Sequence, residues 1–527
     1  MPGSGWRRPC RYQNWRPCPA THRPTGTRTR RRSARSSTRG APTTSRPPAS
    51  WTQSPPLAWR PRWCRPWKSP DTVLRPVPVS HIPEGSLARR SAAPPGRSGT
   101  SDRTTCAGDV ITGQTSTTRV AQLDGGLPLL LTPTDGGHTA GIALSLGFGS
   151  RDDPAGMSGA AHLLGRLIMS VPLEGGPSLG ERVEQFGGTW GAVTGAESLT
   201  VHARVPADDA PVVAGWMLDA LTRPALSDAA LGREQRNVTR EPAAAEADPA
   251  APLADALQAA FLAAVFPGHP LGAAVDGTPG GAGRIALGPL LQVHQRALAT
   301  VPLALACDGN VREAALRSRM SPLAMARAGG VRPRRSPHAP AGRPVPPDPA
   351  WLDGPCQLLA GAPAPTATDP RRDAFVLLGH VLGAGPASQM HRRLRAEHGL
   401  APVFRAWARA YSDAGVWCFL AGTDGADGPA VVRTLRAELA RLAQHGPAPA
   451  DLDAAVRQAR TELLRTAENG YAAVVASHHC VTGAVWSPEA ERARLARVTA
   501  ADVAGAAAAV AEGLRVVVRP DGRARDE

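Results

Sequence analysis

The sequence predicts an α+β protein made of two similar halves. Three observations carry this. Runs that alternate apolar and small or polar residues, the pattern of strands, are interleaved with stretches whose apolar residues recur at helical spacing. A Gly-, Pro- and Arg-rich stretch without any period, residues 321–350, divides them. The order of elements ahead of that stretch roughly recurs behind it.

The elements follow in order. Order is expected to begin near Thr118, where Arg119-Val-Ala-Gln-Leu-Asp-Gly-Gly-Leu-Pro-Leu-Leu-Leu reads as two strands about a Gly-Gly turn. Residues 139–148 alternate as a strand, 158–170 have helical spacing, and 199–205 form a strand with Thr200, His202 and Arg204 on one face. Helices are expected over 208–221 and 228–241. Beyond the divide come a strand at 356–361, helices at 371–382 and 387–398, and strands at 403–411 and 415–421. Helices at 430–444 and 451–468 and a closing strand at 514–518 complete the chain. The division is therefore 1–117, 118–320, a linker 321–350, and 351–522.

The net charge of +16 over 527 residues is unevenly placed. Residues 1–117 hold 21 Lys and Arg against 4 Asp and Glu, and the remainder holds 39 against 40, so the folded part is neutral. The first segment is rich in Arg, Pro, Ser and Thr and is expected to be disordered. It carries Trp6, Trp15, Trp51, Trp59, Trp63 and Trp67. A basic tail with interleaved aromatics could bind nucleic acid. The stronger reading is upstream GC-rich DNA translated out of frame from a mis-assigned start, so nucleic acid is not an expected partner. No apolar run reaches the ~18–20 residues of a membrane span, and no signal-peptide core opens the chain. Cys307, Cys356, Cys418 and Cys480 lack CxxC spacing and read as buried free thiols of a cytoplasmic protein.

The stretch with most chemical content is Gly159-Ala-Ala-His162-Leu-Leu-Gly165-Arg166. A zinc peptidase helix of the inverted type reads His-x-x-Glu-His: both His share one face and bind the metal, and the Glu activates water. Here His162 holds the first position, Gly165 stands where the base belongs, and Arg166 stands at the second ligand. A guanidinium has no lone pair to offer a metal. His162 on an apolar helix face also has a plain reading as a hydrogen-bonded core histidine. Glu174 and Glu197 are the carboxylates that a replacement base would have to come from, and neither is spaced as the base is. His478-His479 beside Cys480 is not expected to bind metal, because adjacent helical residues point about 100° apart.

Several segments resemble the pitrilysin/insulinase family of zinc peptidases, in the short form that includes the mitochondrial processing peptidase and the bc1 core subunits. Leu123-Asp-Gly-Gly-Leu resembles the family's "LxNGL", and Gly149-Ser-Arg-Asp-Asp-Pro its "GSRDEP". Phe186-Gly-Gly-Thr-Trp-Gly-Ala-Val-Thr followed by Glu197 resembles its glycine turn and "NAxTxxE" strand. Phe266-Pro-Gly-His-Pro-Leu-Gly, Gly277-Thr-Pro, Asp369-Pro, Gly399-Leu-Ala, Tyr411-Ser-Asp-Ala-Gly and Ala421-Gly-Thr-Asp match further segments in order. The resemblance covers about residues 118–522. It implies that each half is a mostly antiparallel sheet packed against helices.

The resemblance also assigns roles. The family's third zinc ligand is a Glu on a later helix, and Glu241 falls at its spacing from His162, in Arg236-Asn-Val-Thr-Arg-Glu resembling "VVxxE". His162 and Glu241 are thus vestigial metal ligands, with Arg166 at the missing one. Arg166 and Glu241 could instead pair as ions. Pro242 follows where the family continues its helix. Active members carry an Arg and a Tyr seven residues apart in the second half; here Arg395 keeps the first position and Pro402 takes the second. Pro cannot donate a hydrogen bond to an oxyanion. No intact catalytic set is left, and no cofactor is expected, with zinc only if the degenerate site still binds it. The expectation is a non-catalytic member, either paired with an intact family subunit around a peptide or homodimeric as a scaffold. The alternative is an atypical active zinc endopeptidase.

Overall fold

The computed structural model describes residues 117–520, apart from 135–136, 246–250, 279, 321–329, 332–333, 335, 338–348, 384 and 387. The side chains of 241–245, 251–256 and 469 are also outside the description. The basic segment up to residue 116, most of the linker and the side chain of Glu241 therefore lie outside the described residues.

The first half runs β1 (Arg119–Gln122), β2 (Pro128–Thr132), β3 (Thr139–Leu146), α1 (Ala160–Ser170), α2 (Leu179–Gln185), β4 (Thr189–Thr194) and β5 (Leu199–Pro206). It continues with α3 (Ala210–Thr222), α4 (Asp228–Ala245), α5 (Ala251–Val265), α6 (Leu287–Thr300), β6 (Leu303–Asp308) and α7 (Glu313–Met320). Its sheet has the order β1-β2-β6-β3-β5-β4, parallel only between β2 and β6. Gly125 and Gly126 sit at φ 75° and 78°, the left-handed backbone the β1–β2 turn requires.

The second half runs β7 (Pro355–Pro363), α8 (Arg372–Leu382), a π-helical turn (His391–Glu397), β8 (Val403–Ala410) and β9 (Gly415–Asp424). Then come α9 (Gly428–His445), α10 (Pro449–Thr482), α11 (Pro488–Leu495), α12 (Ala500–Gly513) and β10 (Arg515–Arg519). Its sheet is fully antiparallel, in the order β10-β7-β9-β8. The chain is thus an α+β protein with two sheet-and-helix halves. The helix expected over 387–398 is the shorter π-helical turn, and the one expected over 451–468 continues to Thr482.

Each half lends a helix to the other. One face of the first sheet (Leu129, Ile142, Leu144, Val201, Leu305) packs with α1 and α3. The opposite face (Leu130, Ala143, Ala304, Ala306) is covered by Tyr471, Ala472, Val475 and Ala476, on the last three turns of α10. Reciprocally, α8, α9 and α12 cover one face of the second sheet (Leu358, Ala360, Phe404, Phe419). The other face (Leu359, Val416, Cys418, Leu420) takes Leu257, Phe261 and Val265 of α5. With both faces covered, β3 is buried along all but its first residue, and an alternating sheet face has no solvent side there. The exchange begins where α10 kinks at Gly470: the Asp308 carboxylate accepts the Ala472 N–H at 3.1 Å, satisfying a donor the kink would orphan.

Candidate functional site

Helix α1 starts on a carboxylate. Asp153 accepts the N–H groups of Gly159 (2.7 Å) and Ala161 (2.9 Å), which satisfies donors of the first turn. Burial pushes the Asp153 carboxyl up to about 6 against these hydrogen bonds. Leu163, Leu164, Leu167 and Ile168 are then driven into the core, and His162 and Arg166, one turn apart, fall on the flank of the helix.

His162 is one-fifth exposed, and its Nδ1 lies 3.3 Å from Asp276 Oδ1 on the loop after α5. Arg166 does not face an empty pocket. Its Nε donates to Glu234 Oε2 at 2.9 Å, and Glu234 lies on α4, two turns ahead of Glu241. Burial of Glu234 works to raise its pKa. The hydrogen bonds from Arg166 and Ser170, the Arg166 charge and the Asn237 amide nonetheless hold it below the usual carboxylate range. Among the described side chains Glu234 is a carboxylate that pairs Arg166. The backbone of α4 continues through Pro242 to Ala245, whereas the Glu241 side chain is outside the description.

Gly165 is held by packing. A Cβ there would stand 2.7 Å from Leu199 Cδ1, 3.1 Å from Thr194 Oγ1 and 3.8 Å from Ala192 Cβ. Helix α1 thus lies on β4 and β5 so closely that a side chain where the base would project requires the Leu199 methyl to move aside and the Thr194 hydroxyl to give. Neither alternative carboxylate reaches it. Glu174 is in the loop after α1, against Arg182. Glu197 lies in the turn between β4 and β5, not on a strand, and is committed elsewhere. Arg395 is exposed on the π-helical turn, and Pro402 is exposed just ahead of β8. His478 and His479 do not converge on Cys480, whose Sγ donates to the Ser145 carbonyl at 3.1 Å. Burial lowers both imidazoles, His478 to about 4.

As a zinc site the described donors do not fit: His162 supplies one imidazole and a guanidinium holds the second position. Among the described residues no group of three or more His, Cys, Asp or Glu could hold a metal.

A second constellation is the one sequence reasoning missed. Arg151 donates from Nη1 to Glu197 Oε1 (2.7 Å) and Asp413 Oδ1 (2.8 Å), and from Nη2 to Asp413 Oδ2 (2.8 Å). Glu197 also accepts the Ser412 N–H (2.9 Å) and hydroxyl (2.5 Å). Arg334 donates to both oxygens of Asp152, at 2.7 and 3.0 Å. The side chains of Arg151, Glu197 and Asp413 are only 4–6 % exposed. Two segments known from sequence only as signatures, at 149–154 and 411–415, thereby meet as a buried clasp between the halves. Their pairing spans 262 residues, so no local pattern could announce it.

Comparison with known proteins bears on this fold. Residues 129–278 match the model of the insulinase family (peptidase family M16), and residues 331–459 match the peptidase M16 inactive domain. An uncharacterized zinc protease of Streptomyces coelicolor is 25% identical over 343 residues, 63% of this chain and 73% of that protein. One from Mycobacterium tuberculosis is 31% identical over 196 residues, 37% of this chain and 43% of that protein, so the match spans under half of its length. Among solved structures, a peptidase M16 inactive domain from Pseudomonas fluorescens superposes with a TM-score of 0.64 at 16% identity, covering 76% of this chain and 97% of that one. A protease from Helicobacter pylori gives 0.64 at 16%, covering 77% and 99%. Family models on both halves and a shared fold along nearly the whole described chain place this protein in the insulinase (M16) family.

Proposed function

We propose that this chain is a non-catalytic M16 homologue that serves as the partner of a catalytically intact subunit, or as a scaffold, in the handling of peptides. The observation that supports this best is the pair Arg166–Glu234 beside Gly165. Where an intact helix would present a base and a second imidazole, this one presents a neutralised guanidinium and a closed packing surface. Activation of water needs a base within reach of it, and Glu174 and Glu197 are both placed elsewhere. An intact partner would supply the metal, and this chain the opposite wall. The open edge of β4 offers main-chain groups to an extended peptide. A cytoplasmic location is part of the proposal, supported by four buried free thiols. Among the described residues no helix is long and apolar enough to cross a membrane.

The test is zinc content and peptide hydrolysis of the full chain, alone and mixed with an intact M16 subunit. The expected result is no stoichiometric zinc and no chelator-sensitive hydrolysis alone, with increased hydrolysis in the mixture. Stoichiometric zinc with chelator-sensitive hydrolysis by the chain alone would establish the atypical endopeptidase instead. That reading draws on one observation: the carboxylate at His162 Nδ1 leaves its Nε2 side for a metal.

A further inference from the structure

We infer that an exposed arginine stripe on α4, formed by Arg233, Arg236 and Arg240, binds an acidic helical segment of the peptides this chain handles. This rests on the reading of the chain as a peptide-handling subunit and adds the chemistry of the peptide.

The stripe follows from helical spacing. Residues three and seven apart differ by about 60° and 20° around an α-helix, so the three side chains leave α4 on one flank, over about 10.5 Å of its axis. All three are exposed. The Arg236 guanidinium leans back over the turn ahead of it, where Gly232 has no side chain: a Cβ there would stand 3.4 Å from its Nη1. Among the described residues no carboxylate pairs any of the three. Surface arginines elsewhere do find one close by in the chain: Arg223 pairs with Asp219, Arg317 with Glu313 and Arg393 with Glu397. Of the acids on α4, Asp228 is in the first turn, ahead of the stripe, and Glu234 is taken by Arg166 and Asn237. The Glu241 side chain lies outside the description.

The helix itself does not account for these charges. Cations stabilise a helix from its last turn, and the last turn of α4 holds no basic residue. Arg236 and Arg240, four apart, repel one another. An anion laid on the stripe removes that repulsion. An occupant with the same period meets all three cations at once: acids at i, i+3 and i+7 of a second helix lying along α4. The stripe also borders the degenerate site. Arg233 adjoins Glu234, and Asn237, one turn from both Arg233 and Arg240, donates to Glu234 at 3.4 Å. A peptide on the stripe therefore lies beside the Arg166–Glu234 pair. Residues 118–320 hold 14 Arg against 20 Asp and Glu, so the first half as a whole repels an acidic peptide and the stripe is the local exception that seats it.

The test uses the full chain and fluorescent Ala-rich peptides of about 18 residues, long enough to be helical. One carries Glu at i, i+3 and i+7, and a second carries Gln at those positions. A third carries its three Glu at i, i+5 and i+10, which face different sides of the helix. Anisotropy titration is expected to show the striped Glu peptide bound about tenfold more tightly than the other two, as three exposed ion pairs would give, with the preference weakening as salt rises. The double variant Arg236→Gln, Arg240→Gln should lose that preference. Arg457→Gln, Arg460→Gln, which removes two exposed charges from α10, should keep it. Equal affinity for the striped Glu and Gln peptides would overturn the inference, and equal affinity for the two Glu peptides would overturn the helical match. Loss of the preference in both double variants would show that net charge, not α4, attracts the peptide. Tighter binding of a single-stranded oligonucleotide than of the striped peptide, lost in the α4 variant, would replace the peptide by a nucleic acid. Stimulated hydrolysis of a neutral peptide in the mixture with an intact M16 subunit decides the peptide-handling reading separately, so either can fail without the other.

Discussion

Arg166 and Glu234 join α1 to α4 through a 2.9 Å hydrogen-bonded ion pair. In the zinc helix that this segment resembles, the metal makes the link between these two helices. Here Arg166 and Glu234 contribute a charge pair to the packing of α1 on α4, its members about one-quarter and one-tenth exposed.

Removing one member alone should therefore cost more than removing both. Arg166→Ala leaves the Glu234 carboxylate short of its main donor and is expected to destabilise the protein by about 1–3 kcal/mol. Glu234→Gln in the Arg166→Ala background should return part of that loss. Chemical denaturation of the two singles and the double gives the coupling, and additive losses would show that the pair does not tie the helices.

Restoring the sequence motif should not restore the site. Gly165→Ala gains about 1 kcal/mol of helix propensity. It also forces the 1 %-exposed Leu199 to move from a 2.7 Å approach in a packed core, and overpacking of this kind costs about 1–3 kcal/mol. The expected outcome is net destabilisation, and more for Gly165→Glu. The double variant Gly165→Glu, Arg166→His should stay inactive against peptides. Thermal melts and a peptidase assay decide; a stable, zinc-loaded and active double variant would mean that α1 can withdraw from β4 and β5.

How far the sequence disclosed all this depends on the range of each interaction. The strands and α1 were legible because period 2 and helical spacing are local, and the β1–β2 hairpin because Gly125-Gly126 is a local signal. Spacing pointed to Glu241 as an ion-pair partner of Arg166; the Glu241 side chain lies outside the described residues, and the Glu234 carboxylate two turns earlier, which spacing did not single out, accepts from Arg166. The exchange of α5 and the end of α10 was illegible, since Tyr471, Ala472, Val475 and Ala476 make an apolar stripe that fits either sheet. Glu197 reads as a candidate base because sequence shows a carboxylate following α1, whereas its partners are Arg151 of the same half and Ser412 of the other, a pairing no local pattern shows.

The Arg151–Asp413 clasp should hold the halves together. Its members are nearly inaccessible, so Asp413→Ala leaves Arg151 with Glu197 and the longer contact to His269 Nε2, and is expected to cost about 3–5 kcal/mol, the usual loss for a broken buried pair. Amide exchange should quicken first in segments 149–154 and 411–415. Exchange that quickens only elsewhere would show that the clasp is not what joins these segments.

Acid should reveal two opposed titrations. Burial lowers His478, with Arg372, Arg494 and His479 adding to it and Glu491 opposing, to about 4 from an ordinary 6.5. The unfolded chain then takes up the proton first, so this contribution is present above pH 6.5 and is lost as pH falls through 4. Asp153 runs the other way: its carboxyl is raised from 3.8 to about 6, so its contribution is present below the lower value and lost as pH rises through 6. His478→Gln should remove an acid loss on the order of 2 kcal/mol between pH 6.5 and 4, flattening the stability profile there. Asp153→Asn removes the opposing contribution and should steepen it. Denaturant midpoints taken across pH 4 to 7 for the protein and both variants separate the two; parallel profiles for all three would show that neither group is held away from its ordinary value.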